Sequence, residues 1–438
     1  MLSEIQKIVF QKRQVLKEIA EKFSNLPLNG YVKGWELSKV SVDEVFLEIL
    51  EEKAEEIYNG KIAESLADQL QKKPLISTIS HLGIWNHPIF VNSDLIFSLH
   101  FEKDQLVPIL ATESVSLNNT SSWSSSLLWH DDNLKLQRHS FLPGRLKNLP
   151  VFSTSSITKD DIHRFQAFTQ GSLDDVIEIL DLEKHSSANF SIQACRASFS
   201  LWQKVFPSAP KLLYLPLETI VSEYLQKILV DQENIVSKIV GTADGRQLWQ
   251  KYFSNEHTFM FWGIDNKGRR QAIKNLPDNQ QIAILLKSRK LYPSSPLCFL
   301  VLLQCGLACV GGFTQTTWLT EVKAKIVKLF EEMQASSEAT NSIPTKNFAE
   351  GSLAWLSISS QYLTPTAVDL YKTRQDYYSK YMELANKITL GQSLRLAMPT
   401  IYNVVAPKAE HLAGFDEGKW QSEVFKDLGI DKLFQNNL

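Results

Sequence analysis

The spacing of apolar positions divides the chain into helical and strand-like segments. Residues 1–23 and 41–72 place apolar side chains three and four positions apart, which predicts amphipathic helices. The runs "LISTIS" (75–80) and "QLVPILATES" (105–114) are short, apolar and rich in β-branched residues, as is typical of strands buried on both faces. Between them "PIFVNSDLIFSLHFEK" has the length of one helix, with Pro88 in its first turn. This order predicts a βαβ unit, and therefore a parallel sheet.

The same alternation continues downstream. "KLLYLPLETIVSEYLQKIL" (211–229) predicts a further strand and helix, and "EHTFMFWGIDNKGRRQAIKNL" (256–276) predicts a hairpin around the turn DNKG. Residues 296–313 carry no charge over 18 positions, but Gln304 and three glycines interrupt the run. We therefore expect a buried helix and strand there, not a membrane span. "TTWLTEVKAKIVKLFEEM" (316–333) predicts an amphipathic helix.

Polar segments separate these elements. "NNTSSWSSSLLWHDDN" (118–133) predicts a long loop that serves as a lid or substrate loop, and residues 160–206 are predicted to be helical throughout. "ASSEATNSIPTKN" (335–347) is the predicted linker. The fold class is therefore α/β, a parallel-sheet core with helical additions at the N-terminus, in the middle and at the C-terminus. The predicted parts are an N-terminal helical segment (1–72), the core (73–334) with a helical insertion around 160–206, and a mostly helical C-terminal part (348–438).

Composition narrows the classes of function. The chain has 46 lysines and arginines against 48 aspartates and glutamates, a formal net charge of −2. This balance argues against a nucleic-acid-binding protein, whose basic face would dominate the count. The four cysteines show no C-x-x-C spacing, which favours a reducing compartment. We expect a cytoplasmic protein that acts on small molecules, with neither nucleic acid nor membrane as a partner.

Polar residues cluster where the first two predicted strands end. In an open parallel sheet, ligands bind at the carboxyl ends of the strands, near helix amino termini. An imidazole at that edge can bind a phosphate or carboxylate, or stabilise charge on a transferred group. The alternative is that His81 and His87 only cap the helix or bind water. The residues expected at this edge are Thr78, Ser80, His81, Gly83, Asn86 and His87 after the first strand, and Thr112, Glu113 and Ser114 after the second.

Familiar site motifs are missing from the sequence. His81 and His87 lie six positions apart, a spacing that suits neither face of a helix, and "WHDD" (129–132) falls in the predicted loop. We therefore expect no metal site. The sequence contains no G-x-S-x-G, no Walker glycine loop and no G-x-G-x-x-G.

Three stretches share a pattern with one enzyme family. "TISHLGIWNHPI" (78–89) aligns without a gap to T-G-Q-Q-x-G-L-x-x-G-P-L, and "VPILATES" (107–114) resembles V-P-V-F-W followed by an acidic E-D-H. "ACVGGFTQTTWLTEVKAKIVKLF" (308–330) is similar to A-Y-V-G-G-P-G-E followed by an aromatic helix, and it keeps Gly311 and Gly312. These motifs, in this order, resemble those of the cysteine-adding enzymes of bacillithiol biosynthesis.

The resemblance implies a Rossmann-like core of the class I synthetase and nucleotidyltransferase superfamily. The family forms an amide between cysteine and an aminosugar conjugate, and its added helical domain dimerises, so a homodimer is an assembly to test. ATP or another nucleotide is the candidate cofactor. The implied catalytic residues are His81 and Glu113, and the implied substrate-binding residues are Thr78, Ser80, Gly83, Asn86, His87, Thr112, Gly311 and Gly312.

The sequence also departs from the family pattern. The paired glutamines become Ser80 and His81, a later glycine becomes His87, and the acidic triplet becomes Thr112-Glu113-Ser114. The arginine and aspartate that precede the double glycine in the family are missing. Three hypotheses therefore stay open: an enzyme that joins an amino acid to a small polar acceptor through a C–N bond, a non-catalytic binding or scaffold relative, and a nucleotide-dependent transferase. The third would use the basic runs at 267–270 or 287–290 for phosphates.

Overall fold

The strands form one parallel sheet and three smaller antiparallel sheets. The computed structural model describes residues 2–35, 37, 41–119, 122–185, 189–253, 259–273, 275–333, 347–358 and 361–429. The strands of this part, in chain order, are β1 (Leu75–Ser77), β2 (Leu106–Ala111), β3 (Ser126–His130), β4 (Leu136–Ser140), β5 (Lys211–Pro216), β6 (Phe261–Ile264), β7 (Arg270–Ala272), β8 (Leu291–Pro293), β9 (Ala308–Val310), β10 (Leu356–Ile358) and β11 (Gln361–Leu363).

Helices make up most of the remaining regular structure. In chain order they are α1 (Leu2–Lys12), α2 (Gln14–Phe23), α3 (Leu28–Lys33), α4 (Glu44–Ile57), α5 (Gly60–Lys72), α6 (Pro88–Ser98), α7 (Lys159–Thr169), α8 (Asp174–Leu180), α9 (Phe190–Val205), α10 (Leu217–Ile228), α11 (Ile235–Gly241), α12 (Ala243–Phe253), α13 (Asn279–Lys287), α14 (Ser295–Gln304), α15 (Gln315–Glu332), α16 (Ala367–Lys372), α17 (Tyr378–Lys387), α18 (Leu390–Val405) and α19 (Glu417–Asp427). Short 3-10 turns occur at 144–146, 151–153 and 408–410.

The parallel sheet has the strand order β5-β2-β1-β9, and helices flank it. Every residue of β2 is buried, as its uninterrupted apolar run requires for a strand that is covered on both faces. Helix α6 connects β1 to β2, so the predicted βαβ unit is confirmed. The α/β fold with a Rossmann-like parallel core is confirmed with it.

The prediction of a loop over 118–133 is wrong in its second half. Residues Ser126–His130 form β3, which pairs antiparallel with β4. Leu127 and Leu128 are fully buried, and this burial orders a segment whose serines suggested a loop. The polar neighbours are accommodated by pairing with each other, since the Ser125 and Ser140 hydroxyls lie 2.9 Å apart.

The prediction of continuous helix over 160–206 also needs correction. Helices α7, α8 and α9 occupy this region, and turns separate them. Gln170 and Asp181 take left-handed backbone conformations with φ of 50° and 45°, and each ends a helix. A residue in this conformation cannot continue a right-handed helix. The polar segments "TQGS" and "DLEKH" therefore separate the helices. Residues 186–188 lie outside the described part.

The apolar segment 296–313 is a buried helix and strand, as predicted. Helix α14 has 10 residues and is therefore about 15 Å long, half the thickness of a bilayer core. Across the described ranges, no helix combines the length and the apolar character needed to cross a membrane. The hairpin of β6 and β7, the strand and helix of β5 and α10, and helix α15 are likewise confirmed.

Residues near both ends of the chain pack against each other and against the sheet. Helices α1 and α2 contact α18, and the Leu28 N–H donates to the Ile388 carbonyl at 2.9 Å. Gly311, just after β9, forms a parallel bridge with Phe348. The predicted linker 335–347 lies outside the described residues except for Asn347. The C-terminal part thus reaches the sheet at the end of β9.

The turn after β1 is held closely against the segment before β3. A Cβ added at Gly83 would lie 2.5 Å from the Ser124 Cα, and the Ile84 N–H donates to the Ser124 carbonyl at 3.0 Å. We expect Gly83→Ala to lower the free energy of unfolding by roughly 1–3 kcal/mol, because the backbone at Ser124 must move. Gly144→Ala is the control, since nothing lies within 4 Å of its added Cβ. Urea denaturation of both variants checks this, and equal stabilities would contradict it.

Candidate functional site

The backbone continues to pair beyond the carboxyl ends of β1 and β2. His81 and Thr112 form a parallel bridge beyond the two strands. The Thr112 N–H donates to the Ser80 carbonyl at 3.0 Å, and the Leu82 N–H donates to the Thr112 carbonyl at 2.8 Å. Thr112 therefore contributes to this edge through its main chain.

The Ser80 hydroxyl points to a buried carboxyl group. It donates to Asp94 Oδ1 at 3.3 Å, while the Tyr214 hydroxyl donates to Asp94 Oδ2 at 2.8 Å. Burial raises the pKa of Asp94 to about 7, although both hydrogen bonds act in the opposite direction. Ser80 thus joins a polar network between β1, α6 and β5.

Thr78, Gly311 and Gly312 hold the β1 and β9 ends together. The Thr78 N–H donates to the Val310 carbonyl at 3.2 Å, and the Gln315 amide donates to the Thr78 carbonyl at 2.7 Å. A Cβ on Gly311 would lie 2.8 Å from the Thr316 hydroxyl oxygen. Glycine is needed here because the start of α15 packs against the turn.

Asn86 connects the β1–α6 turn to the β3 strand. With its amide oxygen turned toward the Leu128 N–H, its amide nitrogen donates to the Leu128 carbonyl at 3.2 Å. Its own carbonyl accepts from the Ala367 N–H at 3.2 Å. Both links fix the entrance of α6 relative to β3 and α16.

Glu113 is buried among donors. Its Oε1 accepts from the Thr219 N–H at 2.7 Å and from the Thr219 hydroxyl at 2.5 Å, and its Oε2 accepts from the Ser191 hydroxyl at 2.7 Å. A second buried carboxyl group, Glu218 in the first turn of α10, accepts from the Glu113 N–H at 2.8 Å and the Ser114 N–H at 3.3 Å. These two acids fasten the end of β2 to the start of α10.

Burial makes this acid pair hold protons more tightly than exposed carboxyl groups do. Burial, and then the neighbouring Glu113, raises the pKa of Glu218 to about 7. Burial also raises the pKa of Glu113, against the effect of its Thr219 and Ser191 donors. Two basic residues act on this pair electrostatically: Arg289 on Glu113, and Arg270, which donates to the Ser114 carbonyl at 3.4 Å and stacks on Trp262, on Glu218.

His81 and His87 lie near each other but differ in their partners. Burial lowers the pKa of both rings to about 4, so both are neutral at neutral pH. The His81 Nδ1 is buried and has no hydrogen-bond partner among the described residues. The His87 Nδ1 accepts from the Ile89 N–H at 3.3 Å and caps α6. A neutral ring that accepts at Nδ1 carries its proton on Nε2, so His87 retains one donor.

His87 lines a pocket of about 780 Å³. Its walls come from the start of α6, the β3–β4 hairpin, the segment around β10 and β11, and helices α18 and α19. Of the site residues predicted from the sequence, the lining of this pocket includes His87 and not His81 or Glu113. The histidine, acidic and lysine residues of this lining are His87, His130, Glu350, Lys408 and Glu417, and Tyr362 adds a phenol.

His130 is held in this pocket by Asp369. The Asp369 Oδ2 lies 2.7 Å from the His130 Nδ1, and the His130 backbone N–H donates to the Asp369 Oδ1 at 2.8 Å. Their side chains are 12% and 6% exposed. A carboxylate accepts hydrogen bonds, so Nδ1 carries a proton and Nε2 is the ring nitrogen left to accept one.

Glu350 is the most buried acid of the pocket wall. It is 5% exposed, and its Oε2 accepts from the Phe313 N–H at 2.5 Å. Burial raises the pKa of this carboxyl group to about 8, so it is mostly protonated at neutral pH. A Cβ on Gly312 would lie 2.5 Å from the same oxygen, which explains the second glycine of the β9 turn.

Four residues of this region are not among the site residues predicted from the sequence: His130, Asp369, Glu350 and Glu218. The segment "WHDD" was predicted to lie in a loop, whereas His130 is the last residue of β3. Asp369 does carry a local signal, because "TAVD" is a capping box that begins α16 at Thr366. That signal indicates a helix start and gives no sign of a histidine 239 positions away.

Comparison with known proteins adds no assignment. No family model matches the chain, and no curated protein matches it significantly. In the ranges that the structure describes, no group of three or more histidines, cysteines, aspartates and glutamates is placed to hold a metal ion. The site must therefore be argued from its own geometry.

The Glu218 carboxyl group makes the stability of the fold depend on pH. Its pKa is raised on folding from 4.5 to about 7, so the folded state binds more protons and stability falls as pH rises through 7. We expect the wild type to lose about 3 kcal/mol more than Glu218→Gln between pH 4.5 and 8. The amide oxygen of the variant still accepts from the Glu113 N–H.

Urea denaturation across this pH range measures the difference between the two proteins. Glu331→Gln, an exposed acid on α15, is the control and should follow the wild-type curve. Parallel pH curves for wild type and Glu218→Gln would contradict the prediction.

Proposed function

We propose that this chain is an enzyme that binds a small polar molecule in the His130 pocket and removes a proton from it. The observation that carries the proposal is the pair of contacts from Asp369 to His130, one to the ring and one to the backbone. They fix the direction of the ring and leave Nε2 as the base. A carboxylate that orients a histidine in this way is a common arrangement for general bases.

The size and shape of the pocket support a small-molecule ligand. Its volume of about 780 Å³ falls inside the range of roughly 300–1,000 Å³ that is usual for such sites. It lies beside the start of α6, so it adjoins the carboxyl end of β1, where open parallel sheets bind ligands.

Formation of a C–N bond between an amino acid and a small polar acceptor fits this chemistry. In this proposal an amine attacks the acyl carbon of an ester or thioester donor, and His130 Nε2 accepts the proton of the amine. The C–N bond forms as the C–O or C–S bond of the donor breaks, and His130 passes the proton to the alcohol or thiol that leaves. The acyl oxygen gains negative charge in the same step, and the His87 Nε2–H is a donor for it. In this proposal His130 takes the role expected for His81 and Glu113, because the Glu113 carboxylate already accepts from Ser191 and Thr219.

The charges of the lining favour a substrate without phosphate groups. Lys408 is the basic side chain there, beside Glu350 and Glu417. The basic run at 267–270 is engaged elsewhere, since Arg269 pairs with Asp265 at 2.8 Å and Arg270 stacks on Trp262. The proposal therefore places no nucleotide in this pocket.

The test compares wild type with His130→Gln in a mixture of polar metabolites that is followed by mass spectrometry. We expect the wild type to consume a component of the mixture, and His130→Gln to consume it roughly 10²–10⁴ times more slowly, because the base is lost. His163→Gln is the matched control, because this histidine is exposed on α7, outside the pocket lining.

Two outcomes would overturn the proposal. One is equal turnover by wild type and His130→Gln. The other is binding of a metabolite by the wild type without any conversion, which would support the non-catalytic hypothesis instead.

A further inference from the structure

Glu350 is a buried acid that the proposed proton transfer does not use. It accepts one hydrogen bond, from the Phe313 N–H, and no lysine, arginine or histidine of the described chain forms an ion pair with it. A carboxyl group removed from water without a cationic partner is costly to ionise. Such a group on a pocket wall is a candidate for ligand recognition.

The local backbone is shaped around this carboxyl group. Gly312 leaves the space that Glu350 Oε2 occupies, and the next N–H along the chain, that of Phe313, donates to the same oxygen. The β9 turn therefore holds the acid in place from one side. Glu350 also belongs to the lining of the pocket, together with Gly351 and Ser352.

We propose that Glu350 binds a positively charged nitrogen of the pocket's ligand, an ammonium or a guanidinium group. The proposal rests on the pocket assigned in the proposed function, but not on the role of His130 as a base. The ligand is therefore expected to be a cation, and Glu350 is the residue that selects for its charge.

The other charged and titratable groups of the lining are compatible with a cation. His87 and His130 supply ring nitrogens, and the His130 Nδ1 is occupied by Asp369. Glu417 accepts from the Thr400 hydroxyl at 2.6 Å and from the Asn403 amide at 2.7 Å. Lys408 is exposed and can turn toward water. An anionic ligand would keep the Glu350 carboxyl group protonated, whereas a cation gains the Glu350 carboxylate as a buried partner.

Binding of a cation should release a proton. Burial raises the pKa of Glu350 to about 8, so its carboxyl group is mostly protonated at pH 7 before a cation binds. When the cation arrives, the O–H bond of the acid breaks, the proton passes to the buffer, and the carboxylate pairs with the ligand. The released proton is counted by calorimetry in buffers of different ionisation enthalpy.

Three probes of the same shape test the charge preference: benzylamine, benzyl alcohol and benzoate. The aromatic ring suits a pocket that also contains Trp123 and Tyr362. By saturation-transfer NMR we expect benzylamine to bind at least about tenfold more tightly than benzyl alcohol, and benzoate to bind most weakly. At pH 7 benzylamine should release close to one proton per molecule bound.

Matched variants assign the effect to one residue. Glu350→Gln should remove both the preference for benzylamine and the proton release, whereas Glu417→Gln should retain them. His163→Gln, outside the pocket lining, should also retain them. Binding and proton release are measured without turnover, so a failure of the proposed catalysis is distinguishable from a failure of this inference. Should Glu350→Gln not fold, the wild type still decides: its affinity for benzylamine, but not for benzyl alcohol, should rise from pH 6 to pH 8.

The inference is overturned by equal binding of the three probes, or by no detectable binding of benzylamine at tens of millimolar. It is also overturned by an unchanged preference in Glu350→Gln, or by an affinity for benzylamine that does not change with pH.

Discussion

Burial of the parallel sheet on both faces is the constraint from which much of the site follows. Water does not reach the polar groups at the inner part of its carboxyl edge, so a carboxyl or hydroxyl group there is stabilised by a partner within the protein. Ser80 finds Asp94, Glu113 finds Ser191 and Thr219, and Glu218 finds the backbone after β2. These side chains stabilise the junctions between strands and helices. Their hydroxyl and carboxyl groups are therefore already engaged in hydrogen bonds within the protein and are not free to bind or activate a substrate.

The pocket forms where this edge meets the C-terminal part of the chain. His87 stands at the start of α6, His130 at the end of β3, and Asp369 in the first turn of α16. The contact between His130 and Asp369 therefore joins the hairpin to the C-terminal helices as well as orienting a base. The candidate site is therefore complete only when the C-terminal part packs onto the core.

The sheet was predictable because its signal is local. Uninterrupted apolar runs identified β1, β2 and β5, and "ACV" after a buried helix identified β9. The β3–β4 hairpin was missed because its serines are satisfied by pairing with one another, as Ser125 and Ser140 do, which composition does not reveal. The helix ends at Gln170 and Asp181, which have positive φ, were not predicted. The residues on both sides of them keep the spacing of apolar positions that is typical of a helix.

The candidate site was less predictable than the sheet, since its residues meet only through tertiary contacts. Of the residues expected at the sheet edge, His87 lines the pocket. His130 and Asp369 have no shared pattern in the sequence, and Glu350 follows a segment that carried no strand or helix signal. The local sequence predicts the start of α16 through its capping box. It does not predict that the Asp369 of this capping box contacts His130.

The two histidines of the β1–α6 turn show how the backbone decides between similar residues. Burial lowers the pKa of each ring to about 4, with a further contribution from His81 to the lowering at His87, so both rings are neutral at neutral pH. The difference is the Ile89 N–H at the start of α6, which occupies the His87 Nδ1 and thereby places the proton on Nε2. The His81 Nδ1 has no hydrogen-bond partner among the described residues, so no backbone N–H fixes the tautomer of this ring from that side. The start of α6 therefore fixes the tautomer of His87, whose Nε2–H is the donor. The position of each histidine in the turn thus decides its hydrogen-bonding role, although both residues are of the same type.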